Sequence, residues 1–489
     1  MPPHKPKACT HQTLCVDASD YGRNTAGFVR VPADKRLAAA VRSGRVPRGD
    51  PSSGSAPGPS TYPGPLVLPD DDLALDPLSP PQSLRSWATG KWRNPITPER
   101  KTLYIADLPA IDDSAAFMRG WAAPDLAAAR PKPPRDSSRP LEHPKVEDVM
   151  SYFSAFYHPL PVARLPAPLR FVSWDGGDGA PARGEPGPAM VGLATGPDSM
   201  VGIRARPSPD GLARMQLNLK DLLDALLEVL PKDAYAACMV LEQDLYEDDD
   251  DDFCCGRAFG GSRICVVSSF RYRPALDEVL GVEREHMWPA SHCARFVEEA
   301  VEWWLEQDEE ERAKGEGEGG GKQAKKAKGR VGAGGEVVVD VKKVGGTAMG
   351  AAVEASRGVL VPRSQDDLKG LWLARVARTA THEIGHCLGL GHCVYYACVM
   401  QGTGGLGEDG RQPPYFCPVC EAKFVWGLGE MGVVRGGKFG KWEDGRQKEV
   451  EKDRMEVMWG FCEGWKSIGM LGGYGGWLDA RLRKEFAGV

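Results

Sequence analysis

Residues 381–400 read THEIGHCLGLGHCVYYACVM. His382 and His386 are four apart. On a helix this spacing puts both imidazoles on one face, one turn apart, close enough to share a metal ion. Glu383 follows the first of them and so projects beside the metal rather than at it. There it can take a proton from a metal-bound water. Gly389 stands three residues after His386. A glycine at this point can adopt the left-handed conformation that ends a helix and reverses the chain. The reversal would bring His392 back as a third nitrogen ligand. Three protein ligands leave a fourth position open, which a catalytic zinc needs and a structural zinc lacks. Five specified residues in this order arise by chance in a chain this long with a probability on the order of 10⁻⁴.

Working outward, the helix that carries the motif has a visible start. Ser364 is a plausible N-cap, and Asp366 and Asp367 favour the positive helix end. Leu368, Leu371, Trp372, Arg375, Val376 and Thr379 follow at helical spacing. Downstream, Cys393, Cys398, Cys417 and Cys420 form C-x4-C…C-x2-C. Four thiolates suit a closed, tetrahedral structural zinc; two disulfides or four buried thiols are the other readings. A zinc holding Cys393 would also brace its neighbour His392. Cys387 points about 100° away from the ligand face and reads as a core thiol. Cys254 and Cys255, beside an acidic run, read as ordinary thiols.

HEIGHCLGLGHCVYYACVM…CPVC resembles the signature of the archaemetzincins, a family of the metzincin zinc proteases. Their pattern is HExxHxxGxxHCx4CxM followed, after about seventeen residues, by CxxC. Here sixteen residues separate Met400 from Cys417, in a Gly-rich loop that can absorb the difference. The match is dense over 371–427, weaker over 257–274 and 459–482, and absent from 1–145. The resemblance implies an α+β, metzincin-like zincin domain. A mixed twisted sheet would pack on helices, the active-site helix would lie behind it, and a small C-terminal subdomain after Gly389 would carry a second zinc. Two Zn2+ per chain are implied: a catalytic one on His382, His386 and His392, and a structural one on Cys393, Cys398, Cys417 and Cys420. Glu383 would act as general base and then as proton donor to the leaving amine. Met400 would form the methionine turn below the zinc. The strand nearest the cleft would pair with an extended peptide substrate, and residues 266–273 are the candidate. Tyr395, Tyr396 and Tyr415 read as packing residues.

The remainder of the chain sets the frame. Net charge is −6, with 61 basic and 67 acidic side chains, which argues against gripping nucleic acid through phosphates. No run of about 18 apolar residues exists, so no membrane span is expected. The Pro-rich N-terminus has no apolar leader, and 13 cysteines are therefore not expected to form a secreted disulfide framework. A cytoplasmic location is expected, with the Lys325–Lys328 cluster leaving nuclear import open. Gly and Pro number 59 and 40, and much of this lies in 1–145, expected to be largely disordered. Folded character is expected over 146–489, interrupted by a flexible Gly- and charge-rich insertion at 308–335. Within it, helices are predicted at 146–162, 218–230 and 294–305, and strands at 169–174, 237–246 and 263–273; a further strand is predicted at 102–105. Asp248–Asp252 read as a solvated acidic loop. The expected function is hydrolysis of peptide bonds in a peptide or protein substrate, through a zinc-bound water with Glu383 as base. The alternatives are a zinc-binding regulatory or interaction module without physiological protease activity, and a nucleic-acid-binding zinc knuckle, which the acidic balance disfavours.

Overall fold

The computed structural model describes residues 9, 11–46, 58–127, 141–174, 187–315, 338–340, 347–433 and 444–486. Its centre is a strand that water does not reach. All eight residues of Ala234–Leu241 are buried. Successive side chains of a strand point to opposite faces, so a run apolar at every position must be covered on both. Ala236, Cys238 and Val240 enter one core cluster, and Ala237, Met239 and Leu241 enter another. The same alternation divides Ile264–Ser268: Cys265 and Val267 face the first cluster, Ile264 and Val266 the second.

These strands belong to a five-stranded mixed sheet. Its order is Gly256–Phe259, Ile264–Ser268, Ala234–Leu241, Thr102–Ala106, Val162–Arg164. The first pairing is antiparallel and the other three are parallel. On one face lie the motif helix Gln365–Cys387 and the helix Val146–Phe156. On the other lie the helix Leu219–Glu228 and parts of a six-stranded sheet that includes Met190–Ala194 and Met200–Arg206. Among the described residues no helix is long and apolar enough to cross a membrane.

Several predicted elements differ in extent from what their composition suggests. The stretch 237–246 is two strands in two sheets, because the Ser268 hydroxyl donates to the Gln243 carbonyl at 2.7 Å and takes it out of the ladder. That hydroxyl also accepts from Phe270 N at 3.0 Å, which ends the strand at Ser268. In Leu219–Glu228, Leu222, Leu223 and Leu226 are buried, but Leu227 is exposed. The helix predicted at 294–305 spans Ala294–Gly315; residues 316–335 of the expected insertion, with Lys325–Lys328, lie outside the described residues. The helices after Gly389 do not form a core of their own: Met455, Met458, Cys462, Trp477 and Leu478 join the cluster of the motif helix.

The largest departure concerns 1–145. Residues 47–57 and 128–140 lie outside the described residues, but the rest of 11–127 is built into the molecule. Leu14, Val16, Tyr62, Trp87 and Ile96 are buried in the main cluster. A Pro-rich arm has little core of its own, yet it can lie extended on a core formed elsewhere and share hydrogen bonds with it. Met349 N donates to Ser60 O at 3.0 Å, Ala397 N to Pro63 O at 2.9 Å, and Trp477 Nε1 to Thr61 O at 3.0 Å. We expect Trp87→Ala to cost about 3–5 kcal/mol of stability in urea unfolding, as for other buried tryptophans. A change within error would mean that the arm rests on the core without supporting it.

Candidate active site

The motif helix starts at a capping box: Asp367 N donates to Ser364 Oγ, and Ser364 N to Asp367 Oδ2, both at 3.0 Å. Two buried arginines then fix its rotation. Arg375 donates to both carboxylate oxygens of Asp277 at 2.6 and 3.0 Å, and Arg378 pairs with Asp409. Trp372 Nε1 donates to Ser269 O at 2.9 Å and ties the helix to the sheet.

The helix ends as its glycine requires. Gly389 has φ +77°. Its N–H donates to His386 O at 2.9 Å, and Leu390 N to Gly385 O at 3.0 Å, the paired bonds of a Schellman turn. This turn is held from outside by the arm. Trp87 Nε1 donates to Leu388 O at 3.0 Å, while Gln82 donates to Gly389 O at 3.1 Å and accepts from Gly391 N at 3.0 Å.

The reversal brings His392 to the motif helix. One ligand atom each from His382, His386 and His392 lies within 4.8 Å of the others. His382 Nδ1 donates to Val399 O and His386 Nδ1 to Leu390 O, both at 2.7 Å. A carbonyl oxygen only accepts, so each Nδ1 carries its hydrogen and each Nε2 presents a lone pair. The two Nε2 atoms face each other at 3.0 Å. Burial and the neighbouring imidazoles push His386 down to about 4 and His382 well below its ordinary value. Two facing lone pairs that resist protonation are what a shared cation would relieve. For nitrogens about 2.0–2.1 Å from one tetrahedral zinc, the separation would be about 3.3 Å.

Glu383 is buried beside this group and is not a member of it. Burial pushes its carboxyl up to about 8, with Arg257 opposing and Glu247 reinforcing. Met400 is fully buried, and a methyl group on Gly385 would collide with its sulfur, so the methionine lies directly under the helix between the two histidines. Cys393 N donates to Met400 O at 2.7 Å and closes that loop.

Cys393, Cys398, Cys417 and Cys420 are all buried, with their sulfurs within 4.8 Å of one another. None forms a disulfide. Cys393 Sγ and Cys417 Sγ are 3.5 Å apart, and Cys417 N donates to Cys398 Sγ at 3.2 Å. The sulfur separation is near the roughly 3.8 Å expected across one tetrahedral zinc with 2.3 Å bonds. Cys387 is buried in the main cluster, and Tyr395, Tyr396 and Tyr415 are packed too.

A cleft of about 430 Å³ opens over the three histidines and Glu383, lined also by Cys255, Arg257, Tyr272, Arg378, Thr403 and Gln412. The strand at this cleft is not the one expected. Ile264–Ser268 is interior, with a partner on each side. The edge is Gly256–Phe259, whose burial alternates and whose Gly256 packs over the side chain of Glu383. Strand composition shows which residues pair, but not which strand ends the sheet.

Asp72, in the region expected to be disordered, is a further residue of the site. A methyl group on Gly402 would collide with both Asp72 Oδ2 and His392 Nδ1, so carboxylate and imidazole flank the same α-carbon. Burial lowers the His392 imidazole, and the Asp72 charge opposes that. Asp72 is itself held, since its N–H donates to Glu408 Oε2 at 2.9 Å. The available signal was the helix start in LPDDDLAL, realised as the turn Asp72–Leu75 with Asp71 as N-cap.

Residues 349–425 match the family described as Peptidase family M54. Archaemetzincin-2 of Rattus norvegicus is 42% identical over 78 residues, 16% of this chain and 22% of that protein. Archaemetzincin of Methanopyrus kandleri is 45% identical over 79 residues, 16% of this chain and 42% of that protein. The crystal structure of archaemetzincin from Methanopyrus kandleri aligns with 68% of this chain and 98% of its own, at 15% identity and a TM-score of 0.29. The matched stretch thus spans about a fifth of the length of the first of these curated relatives. Residues 349–425 match Peptidase family M54, and the chain is similar over part of its length to the archaemetzincins, as its motif suggested.

Proposed function

We propose that this chain is a zinc-dependent peptidase, with His382, His386 and His392 as ligands of a catalytic zinc and Glu383 as its general base. The observation that carries the reading is the pair of Nε2 atoms facing each other at 3.0 Å, with both Nδ1 atoms committed to carbonyl oxygens. It is supported by the M54 match over residues 349–425 and by the name archaemetzincin that similar proteins carry. Zinc, when bound, polarises a substrate carbonyl and lowers the pKa of water toward about 7.

The chain's own residues do the rest. Glu383 takes the proton of the attacking water and returns it to the leaving amine. Its burial lifts it toward the neutral range, and a cation at the histidines draws it back down. The edge Gly256–Phe259 offers an extended peptide a strand to pair with, beside the base. Asp72 orients His392 from behind. Met400 forms the apolar floor. Cys393, Cys398, Cys417 and Cys420 hold a second, structural zinc that steadies His392 through Cys393.

The test is a peptide library incubated with the zinc-loaded full chain and read by mass spectrometry. Cleavage that a chelator stops and zinc restores supports the proposal. A chain that holds zinc and cleaves nothing would point instead to a zinc-binding interaction module. Asp72→Asn is expected to weaken the histidine-bound zinc about 10–100-fold in a competition titration with a chelator, the usual effect of losing such a support. An unchanged affinity would remove Asp72 from the site.

A further inference from the structure

A second group of histidine and cysteine lies away from the cleft. One donor atom each from Cys9, His11 and His286 falls within 4.8 Å of the others. His286 is 1% exposed, and among the described residues neither of its ring nitrogens has a hydrogen-bond partner. The carboxylate oxygen Glu283 Oε1 is 3.9 Å from Nδ1, beyond hydrogen-bond reach. His11 Nε2 is buried and without a partner too. Buried imidazole nitrogens are normally satisfied, and two orphans turned toward one thiol require an explanation.

The surroundings hold these groups in place. The His286 ring stacks on Phe296, with centroids 4.2 Å apart and planes within 6°. His11 meets it edge-on at 5.2 Å. His11 has φ +49°, a left-handed conformation that a non-glycine residue adopts at a cost. The thiol of Cys293 lies beside that of Cys9. The backbone brings the two segments together, since Leu14 bridges Cys293 in antiparallel fashion and His292 Nδ1 donates to Cys15 O at 3.1 Å.

We propose that Cys9, His11 and His286 form a further zinc site, separate from the histidine and four-cysteine groups, with the Cys293 thiol, which lies beside Cys9, turning in as fourth donor. Two imidazoles and two thiolates are a closed tetrahedral set for a borderline-soft cation, with no position left for substrate. The role is therefore structural. The ion clips the start of the chain to the segment around residues 286–293. The same arm later supplies Gln82 and Trp87 to the Gly389 turn and Asp72 to His392. The site does not depend on the peptidase reading.

The experiment counts zinc by native mass spectrometry on the full chain, purified under reductant and titrated with zinc. Wild type is compared with Cys9→Ser/His11→Ala and with Cys9→Ser alone, which changes one half-exposed atom and keeps the fold. The expected result is one zinc fewer in each variant than in wild type, with His386→Ala and Cys417→Ser each removing a different one. Cobalt in place of zinc should show less thiolate charge-transfer absorption in Cys9→Ser. Equal zinc counts in wild type and both variants would overturn the site. So would a Cys9–Cys293 disulfide that persists under the reductant.

Discussion

Glu383→Gln is expected to lower the rate of peptide hydrolysis by roughly 10²–10⁴-fold while every zinc stays bound. Glutamine has the shape and hydrogen-bonding reach of the carboxylate but cannot take the proton. The metal should be indifferent to the change, because the cluster of donor atoms contains the three histidines and not Glu383. Three readouts separate the outcomes. Rate lost with zinc retained supports a base. Zinc lost with the rate would make Glu383 a ligand. A rate within a few-fold of wild type would hand the proton to another group. Glu383 is buried among the walls of the cleft, so the glutamine also removes a charge that burial disfavours. The folded variant should therefore be no less stable than wild type, and a thermal scan of both checks this.

The second large effect belongs to the four cysteines. Cys398→Ser/Cys417→Ser should lose one zinc and at least about 4 kcal/mol of stability, at the extreme of ordinary substitutions. The reason is covalent as well as energetic. The four sulfurs draw together residues 393–400 and the start of the helix Pro418–Val433. Without the ion they are four buried thiols with few partners. Peptidase activity should fall with stability, since Cys393 adjoins His392 and its N–H closes the loop to Met400. The measurements are the urea midpoint, the zinc count and the rate on one peptide. A double variant as stable as wild type would mean that the cysteines pack as ordinary core thiols.

How much of this was legible in the sequence follows from the range of the interactions. The motif helix, its capping box at Ser364 and Asp367, and the turn at Gly389 were readable because each depends on residues three or four apart. The grouping of the four cysteines was readable because the spacing within each pair is short and local. The arm was not. Trp87 and Leu388 are 301 residues apart and meet through one hydrogen bond, and no window of composition around Trp87 contains its partner. Its prolines signalled disorder, but its described residues include short helices such as Leu84–Thr89, which carries Trp87, and chain laid on a core is ordered all the same. The edge strand was misassigned by one position because Ile264–Ser268 and Gly256–Phe259 are neighbours, and only topology says which is outermost. The acidic run was placed correctly as a loop, yet it carries structure of its own: Asp251 Oδ2 accepts from Asp248 N at 2.8 Å.

The most direct test is a crystal of the full chain with data collected on both sides of the zinc absorption edge. The account predicts an anomalous peak about 2.0–2.1 Å from one nitrogen of each of His382, His386 and His392, with the fourth position open to solvent and Glu383 beside it but not bound. No peak at the histidines, or an ion there whose fourth ligand is Glu383, would contradict it.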